Sequence, residues 1–261
     1  MELELRDKVA VVTGGGMGIG QAIALELAKE GAHISILDIN LQASQETAAQ
    51  IKEMKRRAVV LKADFSKLSA VDNAIERTVR EFGHIDILIN NAGIRHRSVS
   101  ILDLDLDDLE KVIDLDFKGV YFCSRRVGKE MVKQGSGSIV NIASIAGLAS
   151  FPLPVYGPMK SAVIMLTQIL ARDWAPKGVR VNAIAPGFVL TPLQQRLFEA
   201  EPRRRKNLLS YIPMKKLIMP SDIAFTAVFL CSERARFITG VSLPVDAGVL
   251  SVGVWKAYGY D

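Results

Sequence analysis

Short apolar runs and amphipathic segments alternate along almost the whole chain. Val9 to Val12 is a compact apolar run that leads into glycines, the pattern of a buried strand. The next segment, through Ile23, Leu27 and Ala28, repeats apolar positions at helical spacing, and Gly31 stands where a helix C-terminal glycine is expected. Further strands are predicted at His33 to Leu37, Ala58 to Leu61, Ile85 to Ile89, Ser138 to Ile142 and Val179 to Ile184. Between them, helices are predicted over Leu41 to Arg57, Ser69 to Phe82, Leu106 to Lys133 and Tyr156 to Ala175. A repeated strand–helix alternation of this kind predicts an α/β fold with one doubly wound parallel sheet. The alternation breaks between Gly187 and Pro220, but no internal repeat or low-complexity linker divides residues 1–261, so one domain is expected.

The first candidate chemistry lies directly after the first strand, in Thr13-Gly14-Gly15-Gly16-Met17-Gly18-Ile19-Gly20. Strand, glycine turn and helix together are the context a phosphate site requires. Glycines let the backbone approach a pyrophosphate, and the helix start offers unpaired N–H groups and a favourable dipole. We therefore read a Rossmann-like dinucleotide site that includes Gly14, Met17, Gly18, Ile19 and Gly20. The second strand ends at Asp38, where an acidic residue accepts hydrogen bonds from ribose hydroxyls and repels a 2′-phosphate. Neither Met17 nor Ile39 supplies a cation, so NAD is expected over NADP. Asn90-Asn91-Ala92-Gly93, at the end of the fourth strand, suits backbone-level contact with a ligand in the crevice.

Tyr156 and Lys160 are four residues apart and share one helix face if Tyr156 opens a helix. A free phenol titrates near pH 10, too high for a base at neutral pH. A cation about 4 Å away, at an effective dielectric of about 20, favours the phenolate by roughly 4 kcal/mol. Such a pair is suited to proton transfer, although the four-residue pattern alone is weak.

Composition removes several other classes. A hydrophobic content of 49% with 23% charged residues belongs to an ordinary globular chain, not a disordered one. The net charge of +5 arises without a sustained basic stripe, since basic residues cluster only at Arg56-Arg57, Arg125-Arg126 and Arg203 to Lys206; no nucleic-acid partner is expected. Cys123 and Cys231 are isolated in apolar helical contexts, as buried free thiols in a reducing compartment would be, and no metal site follows. Neither a signal-like N-terminus nor a membrane-length apolar run is present, so a soluble cytoplasmic protein is expected, with no membrane partner.

Taken in order, Thr13-Gly14-x-x-x-Gly18-x-Gly20, Asp64, Asn90-Asn91-Ala92-Gly93, Ser144, Tyr156-x-x-x-Lys160 and Asn182-Ala183-Ile184-Ala185-Pro186-Gly187 leading to Thr191 resemble the short-chain dehydrogenase/reductase family, from about Leu5 to Gly248. The resemblance implies an oxidoreductase moving a hydride between NAD and a small secondary alcohol or ketone, with a polyol, sugar or cyclic alcohol expected. It implies Tyr156 as catalytic acid/base, Ser144 as hydrogen-bond partner of the substrate oxygen, and Lys160 as holder of the nicotinamide ribose. It further implies Asp64, with Phe65 beside it, near the adenine, Asn90 at the adenosine side or the bridging backbone, and Val189 with Thr191 at the carboxamide. A homotetramer is expected from the same resemblance, and about 188–219 resembles the family's substrate lid.

Two departures qualify it. The family usually carries an Asn where this chain has Asp116, in Asp116-Phe117-Lys118-Gly119. We count Asp116 among the catalytic residues and expect an active enzyme with an altered pH profile, because a carboxylate near Lys160 offsets its pull on Tyr156. Ser144 also precedes Tyr156 by twelve residues where thirteen is more usual, and Phe151-Pro152-Leu153-Pro154 is expected to reshape the pocket wall. Arg95, His96 and Arg97 fall on the substrate side; His96 is read as a bystander, with contact to a substrate hydroxyl as the alternative. Arg203 to Lys206 is read as a solvated face, with an anion contact as the alternative. Trp255, Tyr258 and Tyr260 make an aromatic tail suited to packing on a neighbouring subunit. A 3-oxoacyl-thioester reductase and a non-catalytic NAD-binding sensor or scaffold are the other functions weighed.

Overall fold

The computed structural model describes Leu3 and residues 5–253; the aromatic tail lies outside them. Strands β1 (Val9–Thr13), β2 (His33–Asp38), β3 (Ala58–Lys62), β4 (Ile87–Asn90), β5 (Gly137–Ile142), β6 (Val179–Pro186) and β7 (Ser242–Val245) form one sheet in the order β3-β2-β1-β4-β5-β6-β7. Every neighbouring pair is parallel, with registers such as Val11↔Ser35 and Val11↔Leu88. The chain winds outward from β1 to β3, then crosses back to β4. A topological switch therefore falls between β1 and β4, where the loops leaving the strand ends part and open a crevice.

Helices α1 (Gly18–Lys29), α2 (Leu41–Glu53), α3 (Leu68–Phe82), α4 (Leu106–Val112), α5 (Val120–Gln134), α6 (Tyr156–Trp174), α7 (Pro192–Ala200), α8 (Pro202–Tyr211) and α9 (Pro220–Cys231) accompany the strands. The central strands are mostly apolar because both faces of the sheet are covered there. Side chains alternate between the two cores: Ala10, Val12, Ile34, Ile36 and Ile89 pack on the α1 and α9 side, while Val11, Leu37 and Leu88 pack on the α3 and α5 side. Ile89 is fully buried between β1 and β5, and its truncation to Ala should cost about 2–5 kcal/mol.

A connected set of polar side chains crosses this core. The Asn90 amide donates to Ser124 Oγ at 2.9 Å and to Asn141 Oδ1 at 2.8 Å, and the Asn141 amide donates to Thr167 Oγ1 at 2.9 Å. This chain of bonds stitches β4, β5, α5 and α6 together just below the crevice. Cys123 and Cys231 are buried and free, and burial pushes both thiols up to about 12, for Cys231 against the opposing charge of Arg180.

Several predicted elements differ from the observed ones. The expected helix from Leu106 to Lys133 is interrupted by a π-helical stretch, Ile113–Gly119, between α4 and α5. Helix α2 ends at Glu53 instead of Arg57 because Lys55 turns into the left-handed region at φ 59°. Strand β4 begins at Ile87, not Ile85, and β6 runs two residues further, to Pro186. Neither β7 nor α9 was anticipated. The first is a four-residue edge strand containing Pro244, and the second is apolar on nearly every side, so neither shows the expected period.

Candidate active site

The glycine turn carries the local geometry a dinucleotide needs. Gly14 and Gly18 adopt φ of 65° and 58°, a region where a side chain is strained. A Cβ on Gly20 would run into the carbonyl of Gly14 and the amide of Asn91, which itself donates to the Thr13 and Gly14 carbonyls at 3.0 and 3.1 Å. Met17, half-exposed at the start of α1, provides no side-chain cap, and the first turn has no acidic residue. The N–H groups at the start of α1 are thus left for a ligand, and their dipole favours an anion. These residues fit the pyrophosphate of a dinucleotide.

Asp38 lies at the end of β2, 9% exposed, and its carboxylate is held by two backbone donors: Gly16 N to Oδ2 at 3.0 Å and Asn40 N to Oδ1 at 2.9 Å. It is thereby fixed against the glycine turn, with lone pairs remaining for further donors. Asp64 Oδ1 accepts from Ser66 Oγ at 2.6 Å and from Ser66 N at 3.1 Å, and the side-chain bond, against a smaller burial penalty, holds its pKa below the usual value. Phe65 is buried against Gly119, so its side chain contributes packing. Asn90 has its amide committed to the core, which leaves only its backbone for a cofactor contact.

The crevice opens into a cavity of about 700 Å³. Ile19, Ser144, Tyr156, Lys160, Asp116, Val189 and Thr191 all line it, so residues from α1, α6, the π-helical stretch and the loops after β5 and β6 converge on one space. Ser144 leaves β5 in extended conformation and its Oγ accepts from Ala146 N at 3.1 Å. Thr191 caps α7, accepting from Gln194 N at 3.3 Å, and its methyl faces Gly18 across the cleft mouth. Phe151 and Phe188 meet edge to face at 6.4 Å and form an apolar wall with Pro152 and Leu153, as the shortened loop predicted. A second cavity, of about 410 Å³, lies at the amino ends of the strands around Lys8 and Asp86 and holds none of the predicted site residues.

Tyr156 begins α6 and Lys160 follows one turn later, with its Nζ 5.4 Å from the phenol ring centroid. The ammonium donates to Ile142 O at 3.1 Å and lies 3.1 Å from Asp116 Oδ2. That contact is an ion pair off the hydrogen-bonding line, since Oδ2 is buried without a hydrogen-bond partner, while Oδ1 accepts from Ile94 N at 2.8 Å. Burial alone would lower the pKa of Lys160, but the charge of Asp116 and then that of Tyr156 override it, and the net shift is upward. Asp116 reaches this position because the wider turn of the π-helical stretch re-aims its side chain inward; such bulges recur at functional sites.

His96, 5% exposed, is neither at the surface nor in the cavity. Its Nδ1 lies 2.6 Å from Arg97 O, which makes Nδ1 the donor, and leaves Nε2 facing Val155 N and Tyr156 N at 3.5 and 3.4 Å. It thus braces the first turn of α6, a role its sequence position gave no sign of. Asn91, within the Asn90 to Gly93 stretch read as a ligand contact, and Arg204, from the basic run read mainly as a solvated face, also line the cleft, together with Ile94, which sequence reasoning did not assign.

The sequence profile of a family described as enoyl-(acyl carrier protein) reductase matches residues 14–250. The chain belongs to the short-chain dehydrogenase/reductase family. Among its relatives, 2-dehydro-3-deoxy-D-gluconate 5-dehydrogenase of Escherichia coli is 39% identical over 249 residues, covering 95% of this chain and 97% of the relative. A 3-oxoacyl-[acyl-carrier-protein] reductase of Synechocystis is 38% identical, covering 94% and 98%. The crystal structure of a protein described only as a candidate NAD(P)-dependent gluconate 5-dehydrogenase, from Beutenbergia cavernae, with NADP bound at low occupancy, superposes with a TM-score of 0.90 at 34% identity, covering 96% of this chain and all of that one. This short-chain dehydrogenase/reductase is an oxidoreductase acting on CH–OH groups with a nicotinamide dinucleotide. Among its described residues no helix is long and apolar enough to cross a membrane.

Proposed function

We propose that this dehydrogenase interconverts a small secondary alcohol, sugar- or polyol-like, and its ketone with NAD, using Tyr156 as the acid/base. The observation carrying the proposal is the convergence of Ser144, Tyr156 and Lys160 on one cavity, with the Lys160 ammonium held against the phenol by Ile142 O and Asp116. In oxidation, the hydroxyl proton passes to the Tyr156 oxygen as the C–H hydride leaves, and Ser144 Oγ holds the oxygen that becomes the carbonyl. Reduction returns the proton from the same phenol. The nicotinamide, when bound, accepts or supplies the hydride. Lys160 and Asp116 do not touch the reacting carbon; they fix the charge beside the phenol. Gly14, Met17, Gly18, Ile19 and Gly20 hold the pyrophosphate, Asp38 the adenosine ribose, Asp64 and Phe65 the adenine side, the Asn90 backbone the bridge, and Val189 with Thr191 the carboxamide.

Asp38 supports NAD over NADP: a buried, fixed carboxylate opposes a 2′-phosphate, and Met17 and Ile39 beside it are exposed and uncharged. Helices α7 and α8 occupy the proposed lid at 188–219, and residues 1–261 are proposed to act as one domain. A cytoplasmic homotetramer completes the reading; exposed Tyr121 on α5 and Met165 and Ile169 on α6 support association, which light scattering tests. The enzymatic test follows reduced nicotinamide absorbance with a panel of polyols, sugars, cyclic alcohols and a 3-oxoacyl thioester, each with both dinucleotides. Turnover of an alcohol with NAD that vanishes in Tyr156→Phe is expected. Turnover of the thioester alone, with NADPH, favours the reductase; tight NAD binding with no turnover favours the sensor.

A further inference from the structure

We propose that Arg95 and Arg204 form an anion-binding end of the catalytic cavity, and that the substrate is a hydroxy or keto carboxylate whose acid group they hold. The proposal rests on the dehydrogenase reading and names its substrate class. Four charged side chains line the cavity: Arg95, Asp116, Lys160 and Arg204. Asp116 and Lys160 neutralise one another at 3.1 Å. Among the described residues the Arg95 guanidinium has no ion pair or hydrogen-bond partner. Arg204 has Glu201 at 3.8 Å, but both side chains are exposed, at 39% and 62%, and so loose a pair is weakened by solvent. Two arginines from separate elements, exposed Arg95 in the loop after β4 and partly exposed Arg204 on helix α8, thus line one space with no spare carboxylate on its walls.

The basic run in α8 is divided by helical geometry. Arg204 and Leu208, four residues apart, both line the cavity, whereas Arg203, Arg205 and Lys206 do not. Arg203 and Arg205 border only outer hollows, whereas Arg204 lines both the catalytic cavity and the hollow it shares with Arg203. Of the four basic residues, only Arg204 reaches the cavity. Across the same cavity stand Phe151, Leu193 and Leu197. A neutral substrate filling it would strip water from the guanidiniums and return no acceptor, which is costly. A carboxylate matches the planar fork of a guanidinium with two parallel bonds. Phosphate cradles more often draw on backbone N–H groups at a helix start, and α7 and α8 both open on proline, which lacks one.

The test compares D-gluconate with D-sorbitol, which replaces the carboxylate by a neutral carbinol, by calorimetry on the full chain saturated with NAD. The wild type should bind gluconate roughly 10- to 100-fold more tightly than sorbitol, from charge-assisted hydrogen bonds. Arg95→Gln with Arg204→Gln should erase that difference through the loss of gluconate affinity, with circular dichroism confirming the fold. Equal binding of the two compounds, a preference that survives the double variant, or inorganic phosphate displacing gluconate at lower concentration overturns the proposal. Binding needs no turnover, so the two readings fail separately. Gluconate held by both arginines without hydride transfer to any substrate overturns the dehydrogenase mechanism alone, and oxidation of neutral alcohols without an acid preference overturns the anion site alone.

Discussion

Asp116→Asn isolates one charge at the centre of the site. The amide oxygen can still accept from Ile94 N, so the loop after β4 keeps its anchor, and only the carboxylate charge 3.1 Å from Lys160 Nζ is lost. At an effective dielectric of about 20 that contact is worth about 5 kcal/mol before desolvation. The same carboxylate opposes negative charge on Tyr156. Its 3.1 Å to Nζ and the 5.4 Å from Nζ to the ring centroid place it within about 8.5 Å of the ring. At that distance the opposition is about 2 kcal/mol at the same dielectric, before screening by water in the open cavity. We expect the acid limb of the oxidative pH–rate profile to move to lower pH in Asp116→Asn by roughly one unit. Steady-state kcat and kcat/KM across pH, with cofactor saturating, read this directly. The direction separates an electrostatic role from a packing role: a packing defect lowers the rate at all pH values without displacing the limb. Superimposable profiles would refute the reasoning.

Linkage gives the same pair a signature in stability. The folded-state pKa of Lys160 is raised, so its contribution is complete below the ordinary lysine value and is lost as pH rises through the raised one. Wild-type stability should therefore hold to about pH 10, whereas Asp116→Asn, in which only Tyr156 still opposes the effect of burial on Lys160, should begin to lose stability at lower pH in urea titrations. Gly20→Ala places a methyl against Gly14 O and the Asn91 amide; it should cost about 1–3 kcal/mol and lose most NAD affinity, seen as a lower Tm and a failed calorimetric titration. Asp38→Asn keeps one acceptor for Gly16 N or Asn40 N and removes the charge that opposes a 2′-phosphate, so the kcat/KM ratio of NADP to NAD should rise about tenfold or more; an unchanged ratio would place cofactor choice elsewhere. His96→Phe removes the acceptor facing Val155 N and Tyr156 N; kcat should fall several-fold with the KM for NAD unchanged, and an unaltered kcat would reduce His96 to packing.

The doubly wound sheet was legible because both faces of each central strand are buried, which writes short apolar runs between helices of visible period. Glycine positions were legible for a similar reason: Gly14, Gly18 and Gly20 are dictated by backbone geometry and close approach. The residues that escaped reading are those whose placement depends on another element. His96 looks like a loop residue until α6 is set against it, and Asn90 and Asn91 cannot be told apart until one amide turns into the core and the other crosses to the glycine turn. Arg204 is one of four consecutive basic residues, and only the orientation of α8 distinguishes it.

Asp116 shows why the π-helical stretch had to be seen. A regular α-helix from Leu106 to Lys133 satisfies every periodic signal in the sequence, and it gives no reason for a carboxylate to face a buried lysine from a different helix. Widening the helix over Ile113–Gly119 costs regular hydrogen bonding, and the return is that one carboxylate engages two partners at once, the Ile94 backbone and the Lys160 ammonium. The two partners have different demands. Ile94 N needs only an oxygen, which an amide supplies equally well, whereas a lysine buried to 4% exposure needs an opposite charge to remain protonated. An Asn at this position would satisfy the first and not the second. Asp116→Asn and Asp116→Ala therefore separate the two: the first removes only the charge, while the second also orphans a backbone N–H and should add about 1–3 kcal/mol of destabilisation, measurable by urea unfolding.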